Sequence, residues 1–89
     1  MKVSVTERDI REGVVGDCDY CPVALAATRA IAEAGGAAAV TATDEALTVY
    51  GERTVSFIAP TSVREFIMAF DRRKPVEPFD FELEGYAFD

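Results

Sequence analysis

Residues 37–59 read AAAVTATDEALTVYGERTVSFIA. Three short runs of small and β-branched residues lie here, split by two turn signals. Ala37 to Thr43 is the first run, and Asp44-Glu45 turns the chain. Ala46 to Tyr50 follows, with Leu47 and Val49 on one face and Thr48 and Tyr50 on the other. Gly51-Glu52-Arg53 makes the second turn, and Thr54 to Ala59 places Val55 and Phe57 on one face. Period-two alternation marks strands, and turns this short join strands that run antiparallel. The segment is therefore expected to be a three-strand meander.

Helices flank the meander. Cys21-Pro22 opens the clearest one, because proline at the first helical position loses no intrahelical hydrogen bond. Val23 to Ala34 contains no helix breaker and Gly35-Gly36 ends it. Val23, Ala27, Ala30, Ile31 and Ala34 form one stripe of mostly small side chains. Downstream, Pro60-Thr61-Ser62 opens a second helix, and Ser62 with Glu65 has capping-box spacing. Val63, Phe66, Ile67 and Phe70 repeat at i, i+3, i+4 and i+7, the face expected to bury. Arg72, Arg73 and Lys74 are expected in its last turn, where positive charge suits the helix dipole. They are also one candidate site for an anionic ligand, the other being the helix N-terminus near Cys21, and Cys18 and Cys21 count among the candidate ligand- or partner-binding residues.

The ends of the chain look like strands. Val3 and Val5 alternate with polar neighbours, and Thr6 to Gly13 follows as one or two helical turns capped by Thr6. Phe79, Phe81 and Leu83 face one way while Asp80, Glu82 and Glu84 face the other. Tyr86 and Phe88 add aromatics beyond them. The five apolar residues form a candidate interface, covering either their own sheet or a subunit boundary. Residues 1–89 are thus expected to be one α+β domain. Its sheet is small and mostly antiparallel, a meander plus terminal strands, with two main helices on one face.

Composition narrows the function. The chain has 9 basic and 16 acidic residues, a net charge of −7, and the five acids of the last fifteen residues have no basic neighbour there. Such a surface repels nucleic acid and anionic lipid. No apolar run approaches the roughly 20 residues of a membrane helix, and the first residues turn polar too early for a signal peptide. A cytoplasmic location is expected. There is no histidine, which removes imidazole acid–base chemistry, Ser-His and Cys-His pairs and imidazole metal ligands. No enzymatic activity, metal or cofactor is expected.

Cys18-Asp19-Tyr20-Cys21 leaves several readings open. Half of a zinc site shared between two chains is one, because one chain cannot supply four cysteine or histidine ligands. A redox pair is another, favoured by the nearby helix N-terminus but displaced by Pro22, which starts the helix beyond both cysteines. A local disulfide is a third, though a reducing compartment opposes it. The plainest reading is two buried thiols pinning a loop to a helix.

Two runs carry a resemblance. Val3-x-Val5-Thr6, Ile10-x-x-Gly13 and Cys18-x-x-Cys21-Pro22-Val23-Ala24-Leu25-Ala26 form the first. Phe66-Ile67-x-x-Phe70-Asp71 with Pro75-Val76-Glu77-Pro78-Phe79-x-Phe81-x-Leu83 forms the second. Together they resemble a group of small uncharacterised proteins encoded by tailed phages and actinobacteria. The resemblance implies a setting, an accessory protein in a host cytoplasm, and supplies no chemistry. In that setting the expected action is binding, either to a host or defence protein or to a small anionic signal molecule. A homo-oligomer closed through the terminal strand is expected. The alternatives are a cysteine-based redox or shared-zinc protein, and an acidic DNA mimic using Asp80, Glu82 and Glu84.

Overall fold

The computed structural model describes residues 1–36 and 38–84. In chain order the elements are β1 (Lys2–Val5), α1 (Glu7–Glu12), α2 (Pro22–Glu33), β2 (Ala39–Ala42), β3 (Ala46–Tyr50), β4 (Thr54–Ile58), α3 (Thr61–Asp71) and β5 (Phe79–Glu82). The expected meander is present, with strand order β2-β3-β4 and antiparallel pairing throughout. The terminal strands do not join it. β1 and β5 pair with each other as a separate antiparallel sheet, with Val3 opposite Phe81 and Val5 opposite Phe79. The molecule is an α+β fold of three helices and two antiparallel sheets among the described residues.

The apolar faces read from the sequence make the core. Val3 and Val5 from β1, Val23, Ala27 and Ile31 from α2, and Leu47 and Val49 from β3 are buried. So are Val63, Phe66, Ile67 and Phe70 on α3. Ala30 is only partly buried and Ala34 is exposed, so the α2 stripe is shorter than its pattern. Phe66 stands at the centre of an aromatic row. Its ring is 6.1 Å from Phe70 and 4.9 Å from Phe79, and Phe79 is 5.9 Å from Phe81. This row fastens α3 to the terminal sheet.

Each helix end has an identifiable cause. Thr6 caps α1 and Asp9 answers it, since the Asp9 amide donates to Thr6 Oγ1 and the Thr6 amide to Asp9 Oδ2. Gly13 closes α1 with an ordinary backbone φ of −67°. Glycine is needed there for room, because a Cβ would sit 2.5 Å from Pro22 Cδ and 2.8 Å from the Asp9 carbonyl. Gly13→Ala is expected to cost about 1–3 kcal/mol, the usual penalty for forcing a methyl into a filled site. A thermal melt checks it, and an unchanged midpoint would show that α1 and α2 can separate freely.

Ser62 and Glu65 do not form the expected capping box. The cap falls two residues earlier than that box requires, with Pro60 at the cap position, no side-chain cap bond and Thr61 as the first helical residue. Ser62 then lies inside the first turn, past the position from which a hydroxyl reaches back to a free amide. The other end also shifts. Helix α3 stops at Asp71, so Arg72, Arg73 and Lys74 lie just beyond it. The Arg73 amide donates to the Phe70 carbonyl and the Lys74 amide to the Ala69 carbonyl. That bond pair is a Schellman cap, with Arg73 in the left-handed region at φ 59°. Glycine normally takes that place, because a side chain there is strained. Arg73→Gly is therefore expected to raise stability by roughly 0.5–1 kcal/mol, read as a higher denaturant midpoint with an unchanged slope.

Candidate functional site

The cysteine loop and the N-terminus of α2 wall one cleft. About 230 Å³ in volume, it is lined by Cys18, Cys21, Thr43 and the carboxylates Asp17, Asp44 and Asp71. Pro22 takes the first position of α2, and Cys21 is its N-cap. The Ala24 amide donates to Cys21 Sγ at 3.4 Å, and the thiol lies 3.9 Å from the Ala42 carbonyl. Cys21 is therefore buried and polar on both sides, and burial pushes its thiol up despite the backbone amides that favour thiolate. Its neighbour differs. Cys18 is exposed, with its sulfur 3.8 Å from Asp19 Oδ1. The expectation of two buried thiols holds for Cys21 alone. Asp17 orders the loop between them by accepting from the Asp19 and Tyr20 amides. Asp71 ties that loop to α3 by accepting from the Gly16 amide at 3.1 Å.

This arrangement weighs against chemistry at the Cys21 sulfur. A nucleophilic or redox cysteine needs accessible thiolate, and Cys21 has neither exposure nor a lowered pKa. A metal shared between two chains needs both sulfurs at the surface, and Cys21 is only 3% exposed. The three carboxylates around the cleft also oppose an anion at the α2 N-terminus.

Arg72, Arg73 and Lys74 are exposed, and the cap gives Arg73 a backbone task independent of any ligand. Phe81 and Leu83 lie in the chain's own core and Phe79 is packed against it. Tyr86 and Phe88 fall outside the described residues. On the outer face of β5, Asp80 pairs with Lys2 at 3.3 Å and Glu82 with the Met1 ammonium at 3.2 Å. Hydrogen bonds from Ser4 and Lys2 hold the Asp80 carboxyl below its ordinary value. Two of the three acids invoked for a DNA mimic thus already have cationic neighbours.

A larger groove was not anticipated. It lies between α2 and the β2 side of the meander, holds about 780 Å³, and is lined by Tyr20, Leu25, Ala32, Ala39, Val40 and Tyr50 among others. Tyr20 and Tyr50 are exposed. The alanines of α2 and β2 hold no bulk to fill it. Its sequence signal was present in the pattern: Tyr50 points opposite to Leu47 and Val49 on β3, and Leu25 lies off the buried stripe of α2.

No protein-family model, curated protein or solved structure matches the chain.

Proposed function

We propose that the chain is a non-enzymatic binding protein that docks on another protein through the groove between α2 and β2. The observation that carries this reading is the groove itself: an open, largely apolar surface rimmed by Tyr20 and Tyr50. Tyrosine suits such a rim, since it offers a large apolar face and a polar tip at low entropic cost. The resemblance to phage and actinobacterial proteins supplies a setting, with a host or defence protein in the cytoplasm as the target. The small-anion alternative has less support, because the cleft at the α2 N-terminus is acidic and the basic cluster lies on an exposed turn.

Tyr20→Ala and Tyr50→Ala test the reading. Interface tyrosines that a partner buries fully typically cost about 2 kcal/mol on truncation, roughly thirtyfold in affinity. A target captured from host lysate by the parent chain should be lost by these variants at unchanged melting temperature. It should be retained when Arg72, Arg73 and Lys74 are all changed to alanine. The reverse pattern would assign binding to the basic turn.

A further inference from the structure

Hydrogen bonding along the free edge of β2 stops part-way. Thr43 and Ala46 close the β2-β3 hairpin as a bonded pair, the Thr43 amide donating to the Ala46 carbonyl. Pairs then alternate along the ladder. Thr41 opposite Thr48 and Ala39 opposite Tyr50 are bonded, and Val40 and Ala42 fall in the non-bonded positions. The amides and carbonyls of Val40 and Ala42 therefore point away from β3. Ala42 is provided for. Its amide donates to the Cys18 carbonyl at 2.8 Å, and its carbonyl lies 3.9 Å from the Cys21 thiol. The Val40 amide and carbonyl have no hydrogen bond among the described residues.

Val40 is 3% exposed and lines the groove between α2 and β2. Backbone groups that burial holds away from bulk water are nearly always paired, so two without a partner in a groove point to what the groove receives. The usual guards of a strand edge are missing as well. Ala38 to Ala42 carries no charge and no proline, and the cysteine loop covers only the Ala42 end.

We propose that the groove takes an extended segment of the partner protein, which adds to β2 as a fourth strand of the meander and carries a lysine or arginine at the end next to Asp19. This rests on the docking groove proposed above and names the form of its occupant. One residue of the added strand exchanges both backbone hydrogen bonds with Val40. Cys18 fills the next slot, at Ala42, so the segment ends there, where Asp19 follows Cys18. Side chains of the added strand alternate between the two faces of the widened sheet. One set meets Leu25 and Ala32 of α2. The other lies on the Tyr50 side, with only the Ala39 methyl between Tyr50 and the newcomer. Charge fixes the end. Arg29 also lines the groove, but its guanidinium is committed to Asp9 and the Ser4 carbonyl. Asp19 is exposed and has no ion pair among the described residues. In a chain of net charge −7 it draws a cation and repels an acid.

Random linear peptides displayed on phage and selected on the full chain test this. Enriched sequences should alternate apolar residues and carry lysine or arginine at one end. Synthetic copies should slow exchange of the Val40 amide by about tenfold or more in NMR, while the Ala42 amide, already bonded, changes little. N-methylation of alternate peptide residues should abolish binding in one phase and be tolerated in the other, because only one set of amides faces β2. Asp19→Lys should reverse the preference, favouring copies that end in glutamate. Peptides that bind as helices by circular dichroism, or that leave Val40 exchange unchanged, overturn the added strand and leave the groove as a docking surface. A selection that enriches nothing does the same, and an unchanged preference in Asp19→Lys overturns the charged end. Binding that survives both Tyr20→Ala and Tyr50→Ala overturns the groove itself.

Discussion

Phe66→Ala is expected to lower stability by about 3–5 kcal/mol, the range for removing a buried aromatic ring. The side chain is 7% exposed and is the link between α3 and the terminal sheet, through Phe70 on one side and Phe79 on the other. The loss therefore combines transfer of the ring to water, an unfilled space, and two broken aromatic contacts. Small domains hold roughly 5–15 kcal/mol in total, so the variant should melt far below the parent or fail to fold at 37 °C. Urea unfolding followed by circular dichroism measures it. A midpoint near the parent's would show that Phe79 and Phe81 close over the gap.

Arg29→Met should cost a similar amount, about 3–5 kcal/mol, by a different route. Asp9 is 3% exposed, and its carboxylate accepts from Arg29 Nη1 at 2.6 Å and Nη2 at 2.8 Å, and from the Thr6 amide and hydroxyl. Burial alone would raise the Asp9 carboxyl. The hydrogen bonds from Arg29 and Thr6 outweigh it and leave the group below its ordinary value. Methionine keeps the arginine stem's packing but strands the carboxylate. Its pH dependence has a definite sign. In the parent, the folded value lies below the unfolded one. The stabilisation is complete above the unfolded value, near 4, and is lost as pH falls through the folded value. In the variant, burial raises the folded value, so the deficit is full above it and shrinks on acidification. The gap between parent and variant should therefore narrow as pH drops toward 4 and below. A gap constant from pH 7 to pH 3 would mean that Arg29 acts by packing alone. Adding Asp9→Leu to Arg29→Met should recover most of the loss except the α1 cap, about 1 kcal/mol.

Patterns local in the chain were legible. Alternation of Leu47 and Val49 located β3 with its observed bounds, and the spacing of Val63, Phe66, Ile67 and Phe70 found the buried face of α3. Cys21-Pro22 marked the start of α2, because both signals act within one turn. Longer-range features were not legible. Nothing in the spacing of Asp9 and Arg29, twenty residues apart, says that they meet. A lone arginine in an alanine-rich helix was the only hint. Alternation likewise shows that Phe81 faces a core but not which strand it pairs with, so the separate terminal sheet emerged only in three dimensions. The Ser62 signal misled because a helix can begin at proline without a side-chain cap, which moves the cap two residues from Ser62 to Pro60. For the candidate site, the cysteine spacing was visible and its burial was not. The groove was written as what the alanines leave unfilled.

The pairing of β1 with β5 has a kinetic consequence. Its hydrogen bonds join Met1 to Leu83 across 82 residues, so nearly the whole chain forms the loop they close. Loop-closure entropy makes such a contact unfavourable until the intervening segments are already compact. Helix α2 and the β2-β3-β4 hairpins, whose contacts are local, should therefore form in the folding transition state with β1 and β5 still apart. Substitutions such as Val3→Ala should then speed unfolding and leave the folding rate nearly unchanged. The same seam would be the first to open in native-state hydrogen exchange, ahead of the meander.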